Sequence, residues 1–82
     1  MKTFRASIYD PEQLLLREWL VGQRKAAGLS QRQLADRLGV VRSLVGKVET
    51  GERRLDVIEF HVYCQALDAN PAAFFVELRG GT

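Results

Sequence analysis

Apolar residues recur at helical spacing in several short stretches of this chain, and each stretch opens on a capping signal. Leu34, Ala35 and Leu38 share one face of a helix that starts at Ser30, with Gln33 completing a capping box and Gly39 supplying the stop. A second short helix follows from about Val41 to Thr50. Val41, Leu44, Val45 and Val48 form its apolar stripe. Arg42, Ser43, Gly46, Lys47 and Thr50 fall on the opposite side, which carries two cations and no acid. The small Ala35 lets the two helices cross closely.

The flanking helices follow from the same signals. Asp10-Pro11-Glu12-Gln13 gives an N-cap, a proline at the first helical position and a capping-box partner. This predicts a helix from Pro11 to about Ala27, ending at Gly28, with Leu16, Trp19, Leu20 and Ala27 inward. Gly22 weakens that helix by about 1 kcal/mol relative to alanine. Asp56 and Glu59 form another box, opening a helix with Val57, Phe60, Cys64 and Leu67 on its buried side. Asn70-Pro71 starts the last helix, with Phe74, Phe75 and Leu78 on its apolar face. Residues 1–9 read as a tail or a short extended arm, Phe4 to Tyr9 being its most strand-like part. Residues 79–82 read as a fraying terminus. The domain proper is expected over residues 10–78, all-α and five-helical.

Composition narrows the class. Eighty-two residues with 46% hydrophobic content suit one small domain. No stretch reaches the ~18 apolar residues of a membrane span, and the N-terminus lacks an apolar signal core. The single cysteine makes no internal disulfide, which fits a reducing cytoplasm. Cys64 is expected to be a small buried hydrophobe, with a redox-sensing thiol as the alternative. No Cys/His cluster has metal-ligand spacing, and no nucleophile–base set or phosphate loop is readable, so neither enzyme, metal nor cofactor is expected.

Charge changes the picture more. The net charge is only +2. Residues 24–54, however, hold eight Lys/Arg against three Asp/Glu, and the remainder four against seven. A basic middle with acidic ends directs one half of the domain toward phosphate.

The ordered run Ala27-Gly28-Leu29-Ser30-Gln31, Leu34, Ala35, Leu38-Gly39-Val40, Ser43, Val45, Val48, Glu49, Gly51 resembles the helix-turn-helix of Cro/C1-type (Xre-family) regulators. The likeness continues through Arg53, Arg54, Leu55 and Asp56 and spans roughly residues 14–78. It implies a lambda-repressor-like DNA-binding domain. It further implies a transcriptional regulator, a repressor that binds a palindromic operator as a homodimer in the cytoplasm, on the nucleoid. Two alternatives stand beside it: the antitoxin of a toxin–antitoxin pair, with a toxin as protein partner, and a protein-interaction module that reuses the fold without DNA. No small-molecule effector is expected at this length.

The resemblance and the chemistry together assign roles. Arg42, Ser43 and Lys47 are expected to contact bases in double-stranded DNA, Arg42 suiting guanine. Ser30, Gln31, Gly46, Thr50, Arg53 and Arg54 are expected along the sugar–phosphate backbone. The resemblance implies a pairing of Arg24 with Glu49 that ties the first helix to the third, the alternative being two separate surface charges. Val62, Tyr63, Phe74, Phe75 and Leu78 carry more apolar bulk than one face buries and are the expected two-fold interface. Three positions depart from the family pattern: Val41 at an N-cap, Gly46 where serine is usual, and Gln23 in place of leucine.

Overall fold

Each helix begins where a short polar side chain accepts a hydrogen bond from a first-turn amide, with one exception. A computed structural model describes residues 9–80 and contains α1 (Pro11–Ala26), α2 (Gln31–Leu38), α3 (Arg42–Thr50), α4 (Val57–Leu67) and α5 (Pro71–Leu78). No strand occurs among the described residues. The arm expected over Phe4 to Tyr9 lies, apart from Tyr9, outside them. Asp10 accepts from the Glu12 amide at 2.8 Å and Asn70 from the Ala72 amide at 3.0 Å. Ser30 with Gln33, and Asp56 with Glu59, form reciprocal capping boxes. The exception is α3, whose N-cap Val41 offers no side-chain acceptor.

The chain ends its helices by left-handed turns. Gly39 (φ 71°) closes α2, its amide and that of Val40 reaching back to the carbonyls of Asp36 and Ala35. Only two residues, Val40 and Val41, then remain before α3 starts. Asp68 (φ 56°) closes α4 without a glycine, a conformation aspartate tolerates better than most side chains.

The core lies where α1, α2, α3 and α4 converge. Leu20, Leu34, Ala35, Val45, Tyr63 and Cys64 are almost wholly excluded from solvent. Trp19 stands against Phe74 (ring centroids 5.6 Å apart) and Phe60 (6.2 Å), and this aromatic group fastens α1 and α4 to α5. Three expectations are corrected. Val57 is 74% exposed, because it occupies the first position of α4 and points away from the core. Ala27 is exposed because α1 has already ended. Val41 is exposed because the N-cap backbone is extended and turns its side chain off the α3 stripe. Cys64 is buried, and burial pushes its thiol up to about 11, away from the thiolate that redox chemistry requires.

One buried polar atom is uncompensated. The Tyr63 hydroxyl has no hydrogen-bond partner among the described residues, and burial raises its pKa well above the ordinary tyrosine value. A buried donor left unsatisfied costs about 1–3 kcal/mol. Tyr63→Phe is therefore expected to stabilise the domain by about 1 kcal/mol, raising the thermal midpoint by about 4–8 °C for a domain of this size. Thermal unfolding followed by circular dichroism measures this, and a lowered midpoint would show that the hydroxyl holds a bond worth keeping.

Candidate nucleic-acid interface

The outward side of α3 and the start of α2 form a basic, uncovered surface carrying Arg32, Arg42 and Lys47. Val45 and Val48 anchor α3 inward and Leu44 packs partly against the core. Arg42, Ser43 and Lys47, one helical turn apart along the other side, are exposed. Their side chains make no hydrogen bond or ion pair with the described residues. Arg24, Ser30, Gln31, Arg32 and Arg42 line one open depression between the starts of α2 and α3. Arg32 was not singled out in the sequence. Its only signal there is membership of the basic run, because its nearness to Arg42 arises from the crossing of two helices.

The orientation of α3 rests on Glu49. Arg24 Nε donates to Glu49 Oε2 at 2.6 Å and Arg24 Nη2 to Glu49 Oε1 at 3.1 Å, while Gln31 Nε2 donates to Glu49 Oε1 at 2.9 Å. Arg24 Nη1 also donates to the Leu29 carbonyl at 2.8 Å, so the guanidinium braces the α1–α2 loop as well. The pair is largely withdrawn from solvent, with side-chain exposures of 12% and 7%. The hydrogen bond to Glu49 raises the pKa of Arg24, against the opposing effect of burial. The separate-surface-charge alternative is thereby excluded.

Several expected backbone contacts are already engaged within the chain. Gln31 serves the Glu49 carboxylate with its amide nitrogen. Ser30 Oγ accepts from the Gln33 amide, and Thr50 Oγ1 donates to the Lys47 carbonyl at 3.2 Å. Arg53 pairs with Glu59 through Nη2 to Oε2 (2.5 Å) and Nη1 to Oε1 (3.1 Å), and also contacts the Arg54 carbonyl. The Arg53 guanidinium holds the Glu59 carboxyl down to about 2, with help from the Asp56 amide. Arg53 therefore staples the loop after α3 to the first turn of α4. Arg54 beside it is exposed.

Gly46 presents a gap. A methyl group added there would meet only Gln31 Oε1, at 3.9 Å, so packing within the domain does not require glycine. Gly51 differs: its φ is 89°, and an added Cβ would fall 2.5 Å from Arg17 Nη1, which lies over the end of α3.

The expected two-fold interface needs correction at two residues. Tyr63 (2% exposed) and Phe74 (5%) belong to the core of the protomer. Leu78 packs partly on that core, and Phe75 stacks edgewise on Phe60 and Phe74 while remaining 49% exposed. The aromatic group absorbs Phe74, while Phe75 and Val76 stay about half exposed on α5.

Two predictions follow from these pairs. Glu49→Ala leaves Arg24 withdrawn from water without its partner and is expected to lose about 3 kcal/mol, the scale seen when a buried pair is broken; a urea midpoint unchanged from wild type would contradict this. Glu59 has its pKa lowered from 4.5 to about 2 in the folded chain. Its contribution to stability is therefore present above pH 4.5 and lost as pH falls through about 2. Between those limits the stability of Glu59→Gln should fall less steeply with acid than that of wild type, and parallel slopes would show that the Arg53 contact does not persist in solution.

Comparison with known proteins agrees with this geometry. A family model described as a helix-turn-helix domain matches residues 16–74. No curated protein gives a significant match. Among solved structures, the chain is similar to an XRE-family like protein from Pseudomonas syringae pv. tomato, with a TM-score of 0.82 and 41% identity over 92% of each chain. The chain therefore belongs to the XRE family of helix-turn-helix proteins and is a DNA-binding regulator.

Proposed function

We propose that the protein is a sequence-specific repressor that binds a palindromic operator as a homodimer, in the cytoplasm, with α3 lying in the major groove. The observation that carries this reading is the face of α3: Arg42, Ser43 and Lys47 project from a helix fixed by Glu49, with no partner among the described residues to satisfy them. Arg42, at the first position of α3, reaches deepest, and its guanidinium suits the two acceptors of a guanine edge. Lys47 follows one turn later beside the gap at Gly46, which lets the helix approach the duplex closely. Arg32 and Arg54 stand on either side of α3 and serve phosphates. Repression follows from occupancy of the site, which excludes polymerase.

Selection of bound duplexes from a random pool tests the reading, since it returns two inverted half-sites if the proposal holds. On the selected duplex Arg42→Ala is expected to lose about 1–3 kcal/mol and to relax preference at one base position per half-site. Arg54→Ala should weaken selected and random duplexes alike and reduce the salt slope by about one unit per subunit. If Arg54→Ala alters base preference and Arg42→Ala does not, α3 is oriented differently from this proposal. Gly46→Ala separates fold from reading. It is expected to stabilise the helix by up to about 1 kcal/mol while weakening binding to the selected duplex, and undiminished affinity would show that the gap receives nothing.

A further inference from the structure

Some of the exposed apolar side chains of the domain gather on α4, while others stand on α1 and α5. Val57, Ile58 and Val62 emerge on one side of α4, with Val57 and Ile58 exposed by 74% and 68%. Beside them runs a groove of about 200 Å³ lined by Leu38, Val40, Leu44, Leu55, Ile58 and Val62. A contiguous apolar surface of this kind marks an interaction site rather than ordinary surface composition. Its only charged lining groups, Arg53 and Glu59, neutralise one another through their ion pair.

We infer that this α4 face, and not α5, is the surface through which two copies of the chain associate. The inference rests on the homodimer reading above and assigns its interface. The neutral rim is one reason: a patch with no uncompensated charge can meet its own copy without like-charge repulsion, whereas the basic α3 face beside it cannot. Shape is another. The patch holds both a projecting ridge, Val57 and Ile58, and an adjoining groove, so a two-fold axis through it sets the ridge of each protomer against the groove of the other, as an isologous contact requires. Position is the third. The groove includes Val40 and Leu44, at the turn before α3 and on its inner side, so association here brings the two reading helices next to each other. α5 exposes Phe75 and Val76, but the Phe75 ring is already engaged by Phe60 and Phe74, and the exposed Glu77 and Arg79 flank the pair.

Sedimentation of the full chain over a range of concentrations, without DNA, tests the assignment. Wild type should pass from monomer to dimer as concentration rises. Ile58→Glu and Val62→Glu, both at exposed positions, should weaken self-association at least tenfold while keeping the thermal midpoint and the elution from heparin of wild type. Phe75→Glu serves as the control and should dimerise normally. If Ile58→Glu and Val62→Glu dimerise like wild type, or if Phe75→Glu abolishes the dimer, the α4 assignment is overturned while the homodimer reading stands. If wild type remains monomeric at every concentration and also on a selected duplex, both are overturned, and the groove belongs to a different protein. As a further check, Ile58→Cys should form a disulfide-linked dimer under mild oxidation, since Cys64 is buried and does not compete; a linked species no more abundant than for an exposed cysteine placed at Ala72 counts against the assignment.

Discussion

A single carboxylate sets the geometry on which reading depends. α3 is a helix of nine residues with two fully buried side chains, Val45 and Val48, and such a short element has little to stop it rocking on its support. Glu49 lies near its C-terminal end and takes hydrogen bonds from α1 and α2 together. The two-residue connection after Gly39 fixes the other end. With both ends held, the direction of the helix axis is decided by covalent turn geometry and by one planar, bidentate contact rather than by packing alone. Because the pair is mostly withdrawn from solvent, salt screens it less than it screens the surface cations. The framework therefore persists under ionic conditions that weaken any phosphate contact.

Among the cations in the middle of the chain, two groups do different work. Arg24 and Arg53 are committed to Glu49 and Glu59 and join elements to each other. Arg32, Arg42 and Lys47 form no such pair among the described residues, and they stand on one side. A net-charge count treats both groups alike, yet the second contributes far more field to an approaching polyanion, since a paired cation is largely cancelled at distances beyond its partner. The usable potential is thus smaller in total and sharper in direction than the composition conveys.

Much of this was legible in the sequence because it is encoded locally. Ser30 with Gln33, Asp56 with Glu59, and Asn70 with Pro71 marked helix starts within a residue of those observed, since a cap involves neighbours along the chain. The Arg24–Glu49 pair was legible through resemblance, and its partly buried setting is visible only once α1 and α3 are packed. What escaped depended on three-dimensional placement. Val57 has the right spacing for the core but sits in the first turn, ahead of the point where α4 meets the body of the domain. Phe74 and Tyr63 looked surplus because a linear pattern does not show that three other aromatic rings surround the one and that the shared core encloses the other. Arg53 was read as a phosphate clamp because its partner lies across a turn whose path the sequence does not specify. The stop at Asp68 carries no glycine and so offered no signal.

Arg42, Ser43 and Lys47 take no part in holding the domain together, and Gly46 is not needed for its packing. Replacing Arg42, Ser43 or Lys47 leaves the core, the caps and the Glu49 contact as they were, and surface changes away from such features usually shift stability by less than about 0.5 kcal/mol. The vocabulary of the reading helix is thereby uncoupled from the grammar of the fold. A lineage carrying this domain can exchange one target sequence for another through a few substitutions on α3, without passing through an unfolded intermediate and without compensating change elsewhere in the chain.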